Sequence, residues 1–388
     1  MRASAFLYPW DVNGDPAAPE RTAALGVRGA TLAAAYHSTR ALTPRHPRHR
    51  VVTAEYAAVL YPPGGHWRER TPRPHPAGDW APGDAYGEAA GALAAAGLEV
   101  HTWVVLAHNS RLGAEHPETS VVNAYGDRYP WAPCVAQPAT RAYLVDLAAE
   151  AAVRPGARGT ELESLGWYGF AHLHAHDKTA GVALGDAGQY LMSLCFCPAC
   201  RTGYGARGLD ADALAHAVRG ALEPVWRGAA PSGGGWPAVE RLLGAGEAGS
   251  TRAWRETAAR TLQEEAVAAV RAAAPEGFRV LLHADPVSYH CGADAGTDPA
   301  HVLSVADGVV VPCAQGPDRL APFARHARAG TVLAANLTVV SGLGGRPAAL
   351  ARDAARARSL GATELRLYHA GLASDADLEA VAAGLAAL

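Results

Sequence analysis

Short apolar runs alternate with longer alanine-rich stretches along the chain. Eight runs read as strands: residues 5–8, 29–36, 100–106, 160–163, 279–284, 308–312, 331–335 and 364–368. Between them, residues 83–96, 138–153, 252–274, 346–359 and 374–387 carry helical spacing. Gly26, Gly97 and Gly361 fall just past helix ends, where a left-handed cap is wanted. Strand–helix alternation repeated eight times predicts an α/β fold, a (β/α)8 TIM barrel, with residues 1–388 as one domain. Helix-to-strand connections are short. The connections after strands two, three and four are long, at 37–82, 108–136 and 164–208. In a barrel the loops that follow the strands build the active site, so the Pro-, His- and Arg-rich stretch 43–76 reads as a lid or wall.

The strand ends then define a rim. Strand two delivers Tyr36 and His37, and strand three delivers His108 and Asn109. Strand four ends in Glu163, with Glu161 two residues deeper on the same face. Strand five delivers His283 and Asp285, strand six Cys313 and Gln315, strand seven Asn336, and strand eight Tyr368 or His369. Glu163 is the candidate general acid, because a partly desolvated carboxyl is pushed toward protonation. Asp285 is the candidate second carboxylate, as base or nucleophile, since glycosidic cleavage requires two acids across a pocket. Glu161 reads as a buried structural acid paired with Arg366, and Asp307, which starts its strand, belongs to the opposite face. His37, His108, Asn109, Asn336 and His369 are candidates for binding hydroxyls, and Trp167 for stacking on a sugar face. His172, His174 and His176 alternate, so an extended segment would put them on one side; a polar loop explains them equally well. His174 is kept as a substrate-binding candidate.

Composition narrows the partners. The net charge is −3 and there is no basic stripe, which argues against nucleic acid. No apolar stretch reaches about twenty residues, so no membrane span is expected. The first ten residues read as a strand rather than a leader, and a cytoplasmic location is expected, where six cysteines favour thiols or metal over disulfides. Lys178 is the only lysine; the other 33 basic residues are arginines. It lies in the strand-four connection and is a candidate contact for an anionic group or leaving oxygen. No organic cofactor is indicated.

Cys195, Cys197 and Cys200 form a Cys-x-Cys-x-x-Cys run that can wrap one zinc ion, with Cys134 as the natural fourth ligand. A four-thiolate site would be closed and structural, pinning the strand-four connection to the strand-three connection. Free buried thiols are the other reading.

Two segments resemble glycoside hydrolase family 42, the zinc-containing β-galactosidases. Cys134, followed by Pro138 and Arg141-Ala142-Tyr143, is similar to the segment that opens that family's third helix. Cys195-Phe196-Cys197-Pro198-Ala199-Cys200 is similar to its Cys-aromatic-Cys-x-x-Cys segment. Glu163 falls where the family has its acid/base glutamate. The resemblance covers residues 100–205 and implies a (β/α)8 barrel, a structural zinc and retaining glycosidase chemistry. The sequence departs from the family in three ways. Leu162, not Asn, precedes Glu163. The connection from Glu163 to Cys195 is longer. Strand seven reads Ala334-Ala335-Asn336-Leu337, with no carboxylate at the nucleophile position. The expectation is therefore a glycosidase-like hydrolase acting on a small carbohydrate-like substrate; related barrels often assemble, so a homo-oligomer stays open and the sequence does not set the oligomeric state. Two alternatives stay open: a metal-dependent isomerase, aldolase or lyase, and a non-catalytic carbohydrate-binding relic of a glycosidase.

Overall fold

A computed structural model describes residues 1–173, 176–229, 233–314 and 316–388. Eight parallel strands close into a barrel: β1 (Arg2–Leu7), β2 (Gly29–Tyr36), β3 (Glu99–Val105), β4 (Gly159–Glu163), β5 (Arg279–Asp285), β6 (Gly308–Pro312), β7 (Val332–Thr338) and β8 (Glu364–Tyr368). Each pairs with the next, and β1 pairs with both β2 and β8, so no edge remains. Helices follow the strands and wrap the outside; the longest, Ala245–Ala273, follows β4. The strands read as continuous apolar runs because both faces are covered: β2, Gly-Ala-Thr-Leu-Ala-Ala-Ala-Tyr, is buried at every position. Gly26, Gly97 and Gly361 do take left-handed backbone at the helix-to-strand turns. Among the described residues no helix is long and apolar enough to cross a membrane.

The sequence placed the strand-four connection at 164–208. The structure runs it to residue 244, with four inserted helices, Gly185–Met192, Pro198–Gly205, Ala211–Trp226 and Trp236–Leu243. Their apolar faces are buried, with Val218, Leu222 and Val239 fully so, and this burial makes them part of the core. The 43–76 stretch is ordered as expected. Its Val51–Ala54 pairs antiparallel with Thr39–Leu42, which precedes it, and its short strand Ala58–Val59 pairs antiparallel with the end of β2.

Alternate residues of each strand point into the barrel. Part of the interior is apolar, around Leu281, Val310, Val332 and Ala334. The rest is charged. Arg279 joins Glu99 (2.6 Å) to Glu364 (3.0 Å), and Arg366 joins Glu364 (2.8 Å) to Glu161 (2.6 Å). The expected Glu161–Arg366 pair is thus present, and both side chains are fully buried. Asp307 lies at the start of its strand, as expected; its carboxylate accepts from Val280 N–H and pairs with Arg271. Above the charged layer, toward the strand C-termini, Phe6, Tyr8, Tyr36, Trp103 and Tyr368 fill the mouth.

Candidate active site

Glu163 ends β4 and projects inward. Its side chain is 5% exposed, at the base of the aromatic layer. Trp103 Nε1 donates to its Oε2 at 2.7 Å. His283, reaching in from β5, places Nδ1 3.8 Å from the same oxygen and 3.7 Å from Oδ1 of Asp294. The imidazole thus bridges the two carboxylates, Glu163 on one side and Asp294 on the other. His283 Nε2 lies 3.8 Å from Glu161, which connects this cluster to the ion pairs below.

Electrostatics separates the groups. Burial raises the Glu163 pKa; His283 opposes that, Asp294 adds to it, and the Trp103 N–H lowers it, with a net upward shift. Burial works against the His283 cation, yet Asp294, Glu161 and Glu163 outweigh it and lift the pKa to about 10. The site thus pairs an imidazolium with a carboxyl inclined to hold its proton. The phenols of Tyr36, Tyr168 and Tyr368 are raised by burial and further by Glu163, so they remain hydrogen-bond donors. Burial depresses His37 to about 4, His108 to about 2 and His369 to about 3. These imidazoles are neutral and can both donate to and accept from hydroxyls.

Asp285, expected as the second carboxylate, is engaged by other groups. Asp285 is drawn away by Arg319 (2.7 Å), His290 (3.2 Å) and the Val287 N–H (2.8 Å). The carboxylate that shares a neighbour with Glu163 is Asp294. The chain leaves β5, loops out and returns so that Ala295–Gly296 pairs alongside Ala284 and Asp285. Gly296 permits this return: a Cβ there would sit 2.4 Å from the Val287 carbonyl oxygen. Ser164 N–H then donates to Ala293 O at 2.8 Å, tying the tip of β4 to the Asp294 loop. Among the described residues, Ser164 (φ 56°) and His369 (φ 62°) are the non-glycine residues with left-handed backbone, and each directly follows an inward strand end. Such conformations cost on the order of 1 kcal/mol or more and gather where a side chain must be aimed.

The remaining candidates divide. His37 and His108 join a ring stack, Tyr36–His37–His108–Tyr168, with centroids 4.2, 4.7 and 4.1 Å apart. His369 stacks on Tyr368 and lies 3.2 Å from the Tyr8 hydroxyl. Asn336 is buried with Oδ1 unpartnered among the described residues. Asn109 is not available as a ligand, because its Oδ1 caps the helix Ser110–Glu115 by accepting from Leu112 N–H. Trp167 is not a platform either: it is buried beneath Arg255 and donates to that residue's carbonyl. Lys178 is exposed on the β4 connection. His174 and Gln315 lie outside the described residues. Sequence reading missed Tyr8, Trp103 and Asp294. Tyr8 and Trp103 sit inside apolar runs, and Asp294 sits in a loop without period.

A 490 Å³ cleft opens beside the site, lined by His172, Asp186, Asp285, Asp294, Arg319 and others. Asp294 is on its wall; Glu163 lies behind.

Cys134, Cys195, Cys197 and Cys200 are all buried, with their sulfurs within 4.8 Å of one another. Cys134 Sγ lies 3.6 Å from both Cys197 Sγ and Cys200 Sγ. A tetrahedral zinc with ~2.3 Å Zn–S bonds needs sulfurs ~3.8 Å apart, so the four fit a structural zinc. Backbone N–H groups of Val122 and Cys197 point at Cys195 Sγ (3.5 Å each), the outer-shell support that thiolate sites use.

No family model matches the chain, and no curated protein matches it in sequence. Solved structures do. By fold, the chain is similar to glycoside hydrolases. It aligns with alpha-L-fucosidase isoenzyme 2 from Paenibacillus thiaminolyticus at TM-score 0.58 and 13% identity, covering 99% of this chain and 48% of that one. The catalytic domain of beta-amylase from Paenibacillus polymyxa aligns at TM-score 0.58 and 12% identity, covering 98% and 97%. A GH42 beta-galactosidase from G. stearothermophilus aligns at TM-score 0.56 and 12% identity, covering 100% and 56%. The chain thus spans about half the length of the fucosidase and the galactosidase. At such identity these matches establish the barrel, and family 42 is one neighbour among glycoside hydrolases of different activity.

Proposed function

We propose that residues 1–388 act as one glycosidase-like barrel domain that hydrolyses a small carbohydrate-like substrate. Glu163 is the proton donor and Asp294 the second carboxylate, in place of Asp285. The observation that carries this reading is the Glu163–His283–Asp294 cluster at the C-terminal face of the barrel, where one carboxyl is desolvated and the other opens to a cleft. In this scheme Glu163 protonates the glycosidic oxygen. Asp294, beside the His283 cation, serves the anomeric side. The neutral imidazoles of His37, His108 and His369 and the phenols of Tyr8, Tyr36 and Tyr368 bind sugar hydroxyls. Asn336, with its unpartnered oxygen, accepts a hydrogen bond from a hydroxyl. The fold-level likeness to glycoside hydrolases supports the reaction class, and the four cysteines are proposed to hold a structural zinc.

One observation favours a second reading, a sugar-binding barrel without turnover: Glu163 exposes only 5% of its side chain. A panel of aryl glycosides separates the two. Hydrolysis of at least one, reduced about 100-fold or more by Asp294→Asn and little changed by Asp285→Asn, supports the glycosidase. Binding of sugars with no turnover by the wild-type protein supports the relic.

A further inference from the structure

Arg255 lies on the helix Ala245–Ala273 and is 2% exposed. Its guanidinium sits among aromatic rings, 5.4 Å from the centroid of Trp167 and 4.8 Å from that of Tyr190. Among the described residues it has no carboxylate partner, and Nε and Nη1 have no hydrogen-bond acceptor. Its one side-chain bond is from Nη2 to Cys291 Sγ, at 2.7 Å. The neighbouring acid on the helix, Glu256, is taken by Arg252 and Ser288. A guanidinium does not deprotonate in proteins, and a buried cation without an anion is strongly disfavoured. The acceptor placed against this cation is the Cys291 sulfur. Cys291 is half-buried and lines the 490 Å³ cleft, three residues before Asp294.

We propose that Cys291, gripped by the buried Arg255 guanidinium, is an electrophile-reactive modification site on the cleft wall, which takes small disulfides and alkylating agents. With a small-molecule disulfide the Cys291 sulfur attacks one sulfur. The reagent's S–S bond breaks, a new S–S bond forms to Cys291, and the other half leaves as a thiolate. Cys291 is oxidised as the reagent is reduced, and no proton is consumed. The adduct projects into the cleft beside Asp294. Inhibition by that adduct rests on the functional reading above, whereas the reactivity does not.

The test is time-resolved labelling of the intact protein with iodoacetamide at pH 6, read by mass spectrometry of the cysteine peptides. Arg255 meets the sulfur from behind, and the titratable groups sharing the wall are Tyr190, Tyr289, His172, His290, Asp186, Asp285, Asp294 and Arg319. Cys291 is expected to react at least tenfold faster than free N-acetylcysteine and ahead of Cys313, and Arg255→Gln is expected to slow it at least tenfold, with Arg255→Lys retaining part of the rate. Should the Arg255 variants not fold, the wild-type rate decides. A thiolate labels at a nearly constant rate from pH 6 to 8, and a neutral thiol gains about tenfold per pH unit. A Cys291 rate at or below that of the free thiol at pH 6, rising tenfold per unit, overturns the proposal. Rapid labelling with no effect on glycoside turnover leaves the modification site standing and removes only its link to activity.

Discussion

Glu163 owes its character to three neighbours: an indole that donates to it, an imidazolium 3.8 Å away, and the aromatic layer that keeps water off. The indole is the easiest to remove without touching charge. A hydrogen bond to a charged group is worth roughly 1.5–3 kcal/mol. Trp103→Phe is therefore expected to raise the Glu163 pKa further. Because a general acid must be protonated, the alkaline limb of the kcat/KM profile should move upward with it. An unmoved limb would separate that limb from Glu163.

At the scale of elements, the cysteine cluster joins two connections that β3 and β4 send out separately. Cys134 precedes the helix Pro138–Ala152, and Cys195, Cys197 and Cys200 bracket the start of Pro198–Gly205. Metal analysis should find one zinc per chain. Cys197→Ser should lose it and lower unfolding stability by on the order of 4 kcal/mol in denaturant titration, since loss of a structural metal is among the large single-site effects. Full-strength folding with no bound metal would leave the cluster as packed thiols. This element was legible in sequence because three cysteines sit within six residues. The strands were legible too, since burial on both faces makes each an unbroken apolar run. Asp294 was hidden because its position depends on a loop folding back over Gly296, which has no periodicity to read. Trp167 and Asn109 were misassigned for a related reason: proximity to a strand end does not fix which way a side chain turns, and one went under Arg255 while the other capped a helix.

Across the whole molecule, an ion-pair chain runs through the barrel from Glu99 to the mouth and ends at His283. His283 has its folded pKa raised to about 10 against an unfolded value near 6.5. A raised pKa contributes stability that is fully present below about 6.5 and is lost as pH climbs through the folded value. Denaturation midpoints should therefore fall between pH 6.5 and 10, and His283→Asn should flatten that fall. An equally steep decline in the variant would place the pH sensitivity elsewhere.

The account stands on Glu163 as a proton donor to a leaving oxygen, and leaving-group dependence tests that most directly. A dinitrophenyl glycoside departs without protonation, whereas an alkyl glycoside does not. With Glu163→Gln, the account predicts that alkyl glycoside turnover falls about 1000-fold while dinitrophenyl glycoside cleavage changes little. An equal loss on both substrates, or no loss on either, would contradict it.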